Sequence, residues 1–171
     1  MKKIILGSAM FLMAFVMNAQ NDTSSVKQNI SSVPVKVPNT SVTITPPLYF
    51  KPSDKFNGFI HDGAGATIQV SETEGKPYPY MAQAMANEEN LAKQGVKLLS
   101  QQNVKTASGK DAILIVIGFS VKGPTQTFNY ERIILLSGDY NKTIIVNANY
   151  PASARNILFE VLKQSLLTVN Y

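Results

Sequence analysis

The sequence predicts an α+β domain, a three-layer α/β/α sandwich around a central, mostly antiparallel sheet. Three observations predict it. Several short segments alternate apolar and polar residues, as half-buried strands do, and two others repeat apolar residues at 3.6 spacing, as amphipathic helices do. The order along the chain is strands, helix, strands, helix, with no helix between the later strands, so those strands pair antiparallel through hairpins. Residues 113–117 and 133–136 are continuous apolar runs, which belong to strands covered on both faces. One helix cannot cover two faces, so a further layer is required.

Each element has a local reason. Residues 20–40 are rich in Ser, Thr, Asn, Val and Pro and are expected to form a flexible leader. The alternate valines Val33, Val35 and Val37 also fit an edge strand, which Pro34 and Pro38 would keep out of a sheet centre. The folded domain is expected over residues 41–171. Val42-Thr-Ile-Thr alternates and stops at Pro46-Pro47. Leu48-Tyr-Phe and residues 56–60 follow, then a turn at His61-Asp62-Gly63. Residues 66–72 alternate as a half-buried strand until Gly75 and Pro77 break it.

Residues 80–94 are predicted as one helix, with Met81, Ala84, Met85, Leu91 and Ala92 on its apolar face and Glu88 interrupting the stripe. Gly95 stands where a left-handed cap is expected. Strands are predicted over 96–104, 112–121, 127–136 and 143–150, with turns at Ser108-Gly109, Gly123-Pro124 and Gly138-Asp139. Pro151 suits the start of a last helix, whose stripe is Ala154, Ile157, Leu158, Val161, Leu162 and Ser165, widened by Phe159 and Leu166.

The first twenty residues carry an export signal. Lys2 and Lys3 precede an apolar run over 4–16, and Asn18-Ala19-Gln20 resembles a cleavage site, so residues 1–19 are expected to be a signal peptide. The run is shorter than the roughly 20 residues of a spanning helix. No other stretch reaches that length, so a soluble periplasmic or extracellular protein with no stable membrane span is expected. Part of the +5 formal charge belongs to the signal, since Lys2 and Lys3 leave with it.

Composition excludes several chemistries. Cysteine is absent and histidine occurs once, which removes disulfides, thiolate metal sites, a cysteine nucleophile and a lipid-anchor cysteine. Arg132 and Arg155 are the only arginines, and no run of three basic residues follows the signal, so no nucleic-acid partner is expected. No cofactor is implied: no phosphate-binding loop or calcium-loop spacing is present.

The segments Pro46-Pro-Leu-Tyr-Phe, Phe56-Asn-Gly-Phe and Thr67-Ile-Gln-Val resemble the first strands of PsbP-like domains. Gly95-Val-Lys with Val104 to Ala112, and Tyr150-Pro151 followed by a helix ending near Leu166, resemble their later elements. The resemblance covers roughly residues 42–170 and rests on the order of elements. It implies the sandwich fold shared by PsbP and the Mog nuclear-transport factor, whose members act mainly as accessory or partner-binding proteins. It transfers no site residues.

Among candidate chemistries, His61-Asp62 is the one histidine–carboxylate neighbour pair, which a small hydrolase or ligand-processing enzyme would use as a base. Adjacent turn residues rarely reach that geometry, and the turn explains Asp62 without it. Glu72, Glu74, Glu88, Glu89 and Glu160 offer oxygens for calcium but lack the spacing of a calcium loop. Glu88-Glu89 is expected to be a solvated helix face, with Glu89 pairing with Lys93 at i, i+4. Glu131 and Arg132 are adjacent in a strand and so point to opposite faces, where structural ion pairing is expected. Tyr78 and Tyr80, and separately Tyr49 and Phe59, are the candidate binding residues, because tyrosine joins apolar area to a hydroxyl. The expected function is an exported, non-catalytic module that binds another exported or envelope protein. The alternatives are the His61 enzyme and a lysine-based binder of polyanions or the envelope surface.

Overall fold

The computed structural model describes residues 33–171. The expected signal peptide and the leader as far as residue 32 lie outside the described residues. From there the chain is already folded. Strand β1 (Val35–Lys36) pairs antiparallel with β2 (Thr43–Ile44), and Val37 is fully buried. Within residues 33–40 the alternate valines take the strand alternative, in a two-stranded ribbon outside the main sheet, consistent with Pro34 and Pro38 beside it.

The main sheet has seven strands. They are β3 (Lys51–Pro52), β4 (Gly58–His61), β5 (Ala66–Glu74), β6 (Lys97–Lys105), β7 (Asp111–Lys122), β8 (Thr127–Gly138) and β9 (Lys142–Pro151). Their spatial order is β3-β4-β5-β9-β8-β7-β6, and every pairing is antiparallel. The expected hairpin series β6 to β9 is present, and β9 then closes on β5 to join it to the first strands. Gly58 permits the β4–β5 contact. Its φ is +151°, and a Cβ there would lie 1.9 Å from the Ile68 carbonyl oxygen, so no other residue fits without moving backbone.

Helices α1 (Tyr78–Met85) and α2 (Glu88–Lys93) replace the single predicted helix. Asn87 makes the break: it adopts extended backbone and its side chain accepts from the Asn90 N–H at 2.9 Å, starting a second helix. The apolar face differs accordingly. Tyr78, Met81, Ala82 and Met85 pack inward, while Ala84 and Ala92 are exposed. Gly95 has the expected left-handed backbone, and Lys93 pairs with Glu89 at 2.6 Å. Pro151 ends β9 instead of opening a helix; a single 3-10 turn, Ala152–Ala154, leads into α3 (Arg155–Leu167).

Strand alternation sends two sets of side chains to opposite sides. Leu114, Val116, Ile133, Leu135, Ile144 and Val146 pack with Leu158, Val161, Leu162 and Leu166 of α3. Their neighbours Ile115, Ile117, Ile134, Leu136 and Ile145 pack with α1. The continuous apolar runs thus face apolar neighbours on both sides, as expected. Each fully buried aliphatic side chain contributes roughly 1.5–3 kcal/mol.

Candidate functional site

The four predicted binding residues do not form one site. Tyr80 is 71% exposed on α1 and Tyr49 is 62% exposed in the loop before β3. Tyr78, the first residue of α1, is half-buried against the sheet, and burial pushes its phenol above the usual value. Phe59 is the correction: it is 1% exposed and belongs to the core. Its position on β4 opposite Ile68 turns it toward α3, so an aromatic in a Gly-flanked segment fills the interior here.

One end of the sheet gathers tyrosines. Tyr78 opens α1 there, and the Tyr171 hydroxyl lies 2.8 Å from Ser137 Oγ near the end of β8. The β8–β9 turn carries Tyr140, which is 85% exposed, and the Gly75 N–H donates to the Asn141 carbonyl at 2.6 Å, holding that turn beside the chain that leads into α1. Tyr140 was missed among the candidates. Its signal was its setting: a tyrosine in Gly138-Asp139-Tyr140-Asn141 has no strand or helix periodicity that would bury it.

His61 and Asp62 do not assemble as a base. The Ala64 N–H donates to His61 Nδ1 at 3.1 Å, which caps a 3-10 turn. The imidazole meets Phe50 edge-on at 5.4 Å between centroids, and Asp62 turns away to Lys51 at 2.5 Å. Of the glutamates, Glu72 accepts from Ser41 and pairs with Lys142 at 2.7 Å. Burial pushes its carboxyl up, but the hydrogen bonds from Lys142 and Ser41 outweigh this and hold it below the usual range.

Glu131 and Arg132 part as expected. Glu131 points to the α3 side, where it accepts from the Tyr150 hydroxyl at 2.5 Å and pairs with Arg155. Burial, and then the Glu131 hydrogen bond, raise the Tyr150 phenol far above its usual value. Arg132 points to the other side and its partner is neutral: its Nε donates to Asn149 Oδ1 at 2.5 Å, and Asn149 Nδ2 donates to Thr67 Oγ1 at 3.2 Å. The ion pair expected for Arg132 is absent among the described residues, because β9 offers it an asparagine.

No family model matches the chain, and no curated protein matches it. Solved structures do. Cyanobacterial PsbP from Synechocystis is similar over 86% of this chain and 95% of its own, at 9% identity and a TM-score of 0.54. LpqN of Mycobacterium tuberculosis, a protein involved in cell envelope biogenesis, is similar over 82% of this chain and 90% of its own, at 16% identity and a TM-score of 0.51. The fold is PsbP-like. At these identities the likeness concerns the fold, which agrees with the resemblance carried by the order of elements. The PsbP-like sheet is antiparallel and the class is α+β; no helix of the described residues is long and apolar enough to cross a membrane.

Proposed function

We propose that this chain is an exported, non-catalytic accessory domain that binds another exported or envelope protein through the tyrosine-rich end of its sheet. In this reading residues 1–19 are a removed signal peptide, the mature protein is soluble and not lipid-anchored, and α1 and α3 are the outer layers of an α/β/α sandwich. The observation that carries it is the exposure of Tyr80 and Tyr140, 71% and 85%, at the end that also holds Tyr78. Large rings left in water lose the stabilisation that burial would supply, and tyrosines so placed are common anchors of protein interfaces.

The test is photo-crosslinking from position 80 in cells, followed by purification of the crosslinked protein and titration with it. Tyr80→Ala/Tyr140→Ala should weaken the complex by about 2 kcal/mol or more with the fold intact. His61→Ala should bind as the unaltered protein does. Loss of binding in His61→Ala with retention in the tyrosine variant would overturn the reading. Intact mass of the exported protein should show the loss of the N-terminal segment; Met1 retained on it would overturn the removal of residues 1–19 as a signal peptide.

A further inference from the structure

The helices leave part of one sheet face open, and its chemistry differs from the rest. A continuous cross-strand row runs Ile60, Thr67, Asn149, Arg132, Ile117. The next row runs Gln69, Asn147, Ile134. Where α1 packs, these rows are apolar. Toward β5 and β9 they are amides and hydroxyls, and there a depression of about 350 Å³ is lined by Phe56, Asn57, Gln69, Ser71 and Asn147.

Arg132 pairs in register with Asn149, two residues along β9 from Asn147, which lines that depression. It is half-buried, and the Cζ of its guanidinium lies 5.3 Å from the centre of the Phe119 ring, which itself stacks on Tyr130 at 5.9 Å. The Asn149–Thr67 relay fixes its Nε. Both terminal nitrogens are then left without a partner among the described residues. They are not sealed from solvent, since no buried side-chain polar atom of the described residues is unsatisfied. An oriented guanidinium with a free fork, held on a hydrogen-bonded platform and backed by an aromatic ring, is the donor geometry that a carboxylate accepts in bidentate fashion.

We propose that Arg132 is the anchor of a ligand site on this face, which takes a small molecule or chain end bearing one carboxylate and a polar body. The carboxylate sits on the Arg132 fork. The amides of Asn147 and Gln69, one two-residue step and roughly 7 Å along the strands, meet hydroxyl or amide groups of the body. Charge favours a carboxylate over a phosphate, because no ion pair of the described residues engages Arg132 and its side-chain partner is the neutral Asn149. One fixed positive charge on a neutral amide face balances one negative charge. The site is distinct from the tyrosine-rich end and does not depend on it.

Two sources supply this chemistry, a peptide C-terminus and a sugar acid. The experiment titrates the purified full chain with N-acetyl-trialanine, the same peptide as its C-terminal amide, D-glucuronate and sulfate, each to about 10 mM, following amide and Arg132 Nε resonances. Either carboxylate should shift the side-chain amides of Asn147 and Asn149. Loss of the peptide's effect on amidation marks the chain end as the source, and response to glucuronate alone marks the sugar acid. Arg132→Gln should weaken binding at least about tenfold. Asn149→Asp places a carboxylate inside the protein beside Arg132 Nε, neutralising the guanidinium charge, and should abolish binding while the protein unfolds at the same or higher temperature. Silence from both carboxylates, sulfate binding as tight as theirs, or undiminished binding in a folded Asn149→Asp protein would each overturn the proposal.

Discussion

The two faces of the sheet are made by the same strands, yet they are finished differently. On the α3 side, Val70, Val146, Leu135 and Leu114 form an unbroken apolar floor under the stripe of Leu158, Val161, Leu162 and Leu166. On the other side the floor is apolar only from Ile145 toward Ile115, beneath the short helix α1, and changes to Gln69, Asn147, Asn149 and Thr67 beyond it. A covered face demands apolar residues at every alternate position, whereas an uncovered one is free to carry polar groups. Polar residues at one parity of a strand that is apolar at the other therefore mark where the covering layer stops.

The comparison can be broken by mutation. Ile133→Ala and Ile115→Ala remove fully buried side chains from opposite faces, and each should cost about 2–5 kcal/mol in chemical denaturation. Equal costs would mean that α1 covers its half as tightly as α3 covers the whole. A cost below about half a kcal/mol for Ile115→Ala would show that its face is not closed at all.

A smaller effect concerns acid. The Glu72 carboxyl is held below its unfolded value by Lys142 and Ser41, so its contribution is present above the unfolded pKa and is lost as pH falls through the folded one. Glu72→Gln should therefore flatten the acid limb of a plot of unfolding temperature against pH and leave the slope near neutrality unchanged. An acid limb identical to that of the unaltered protein would contradict the pairing.

His61→Ala removes the acceptor for the Ala64 N–H and a ring that meets Phe50, and should cost about 0.5–1 kcal/mol in denaturant unfolding. Tyr80→Ala should change stability by less than about half a kcal/mol, because its ring is mostly in water. A loss above about 1 kcal/mol there would make Tyr80 a packing residue and remove the ground for a binding role.

What the sequence by itself determined is local. The period of two in β5, the paired apolar runs of β7 and β8, the 3.6-residue stripe of α3 and the left-handed glycine after α2 are set by residues close in the chain, and each stands where it was expected. The opposite orientation of Glu131 and Arg132 also follows from strand geometry alone. Partnership was decided by the tertiary structure. Alternation states which side chains share a face, but not which strand lies alongside, so the insertion of β9 between β5 and β8 was not legible. The same holds for the candidate sites. Phe59 reads like Tyr49 in the sequence, and only the register of β4 on β5 buries one while the other stays in water. Arg132 reads like half of a strand ion pair, and only the arrival of Asn149 on the neighbouring strand leaves its fork open. Burial and pairing depend on contacts between residues far apart in the chain, and those distances are closed only by folding.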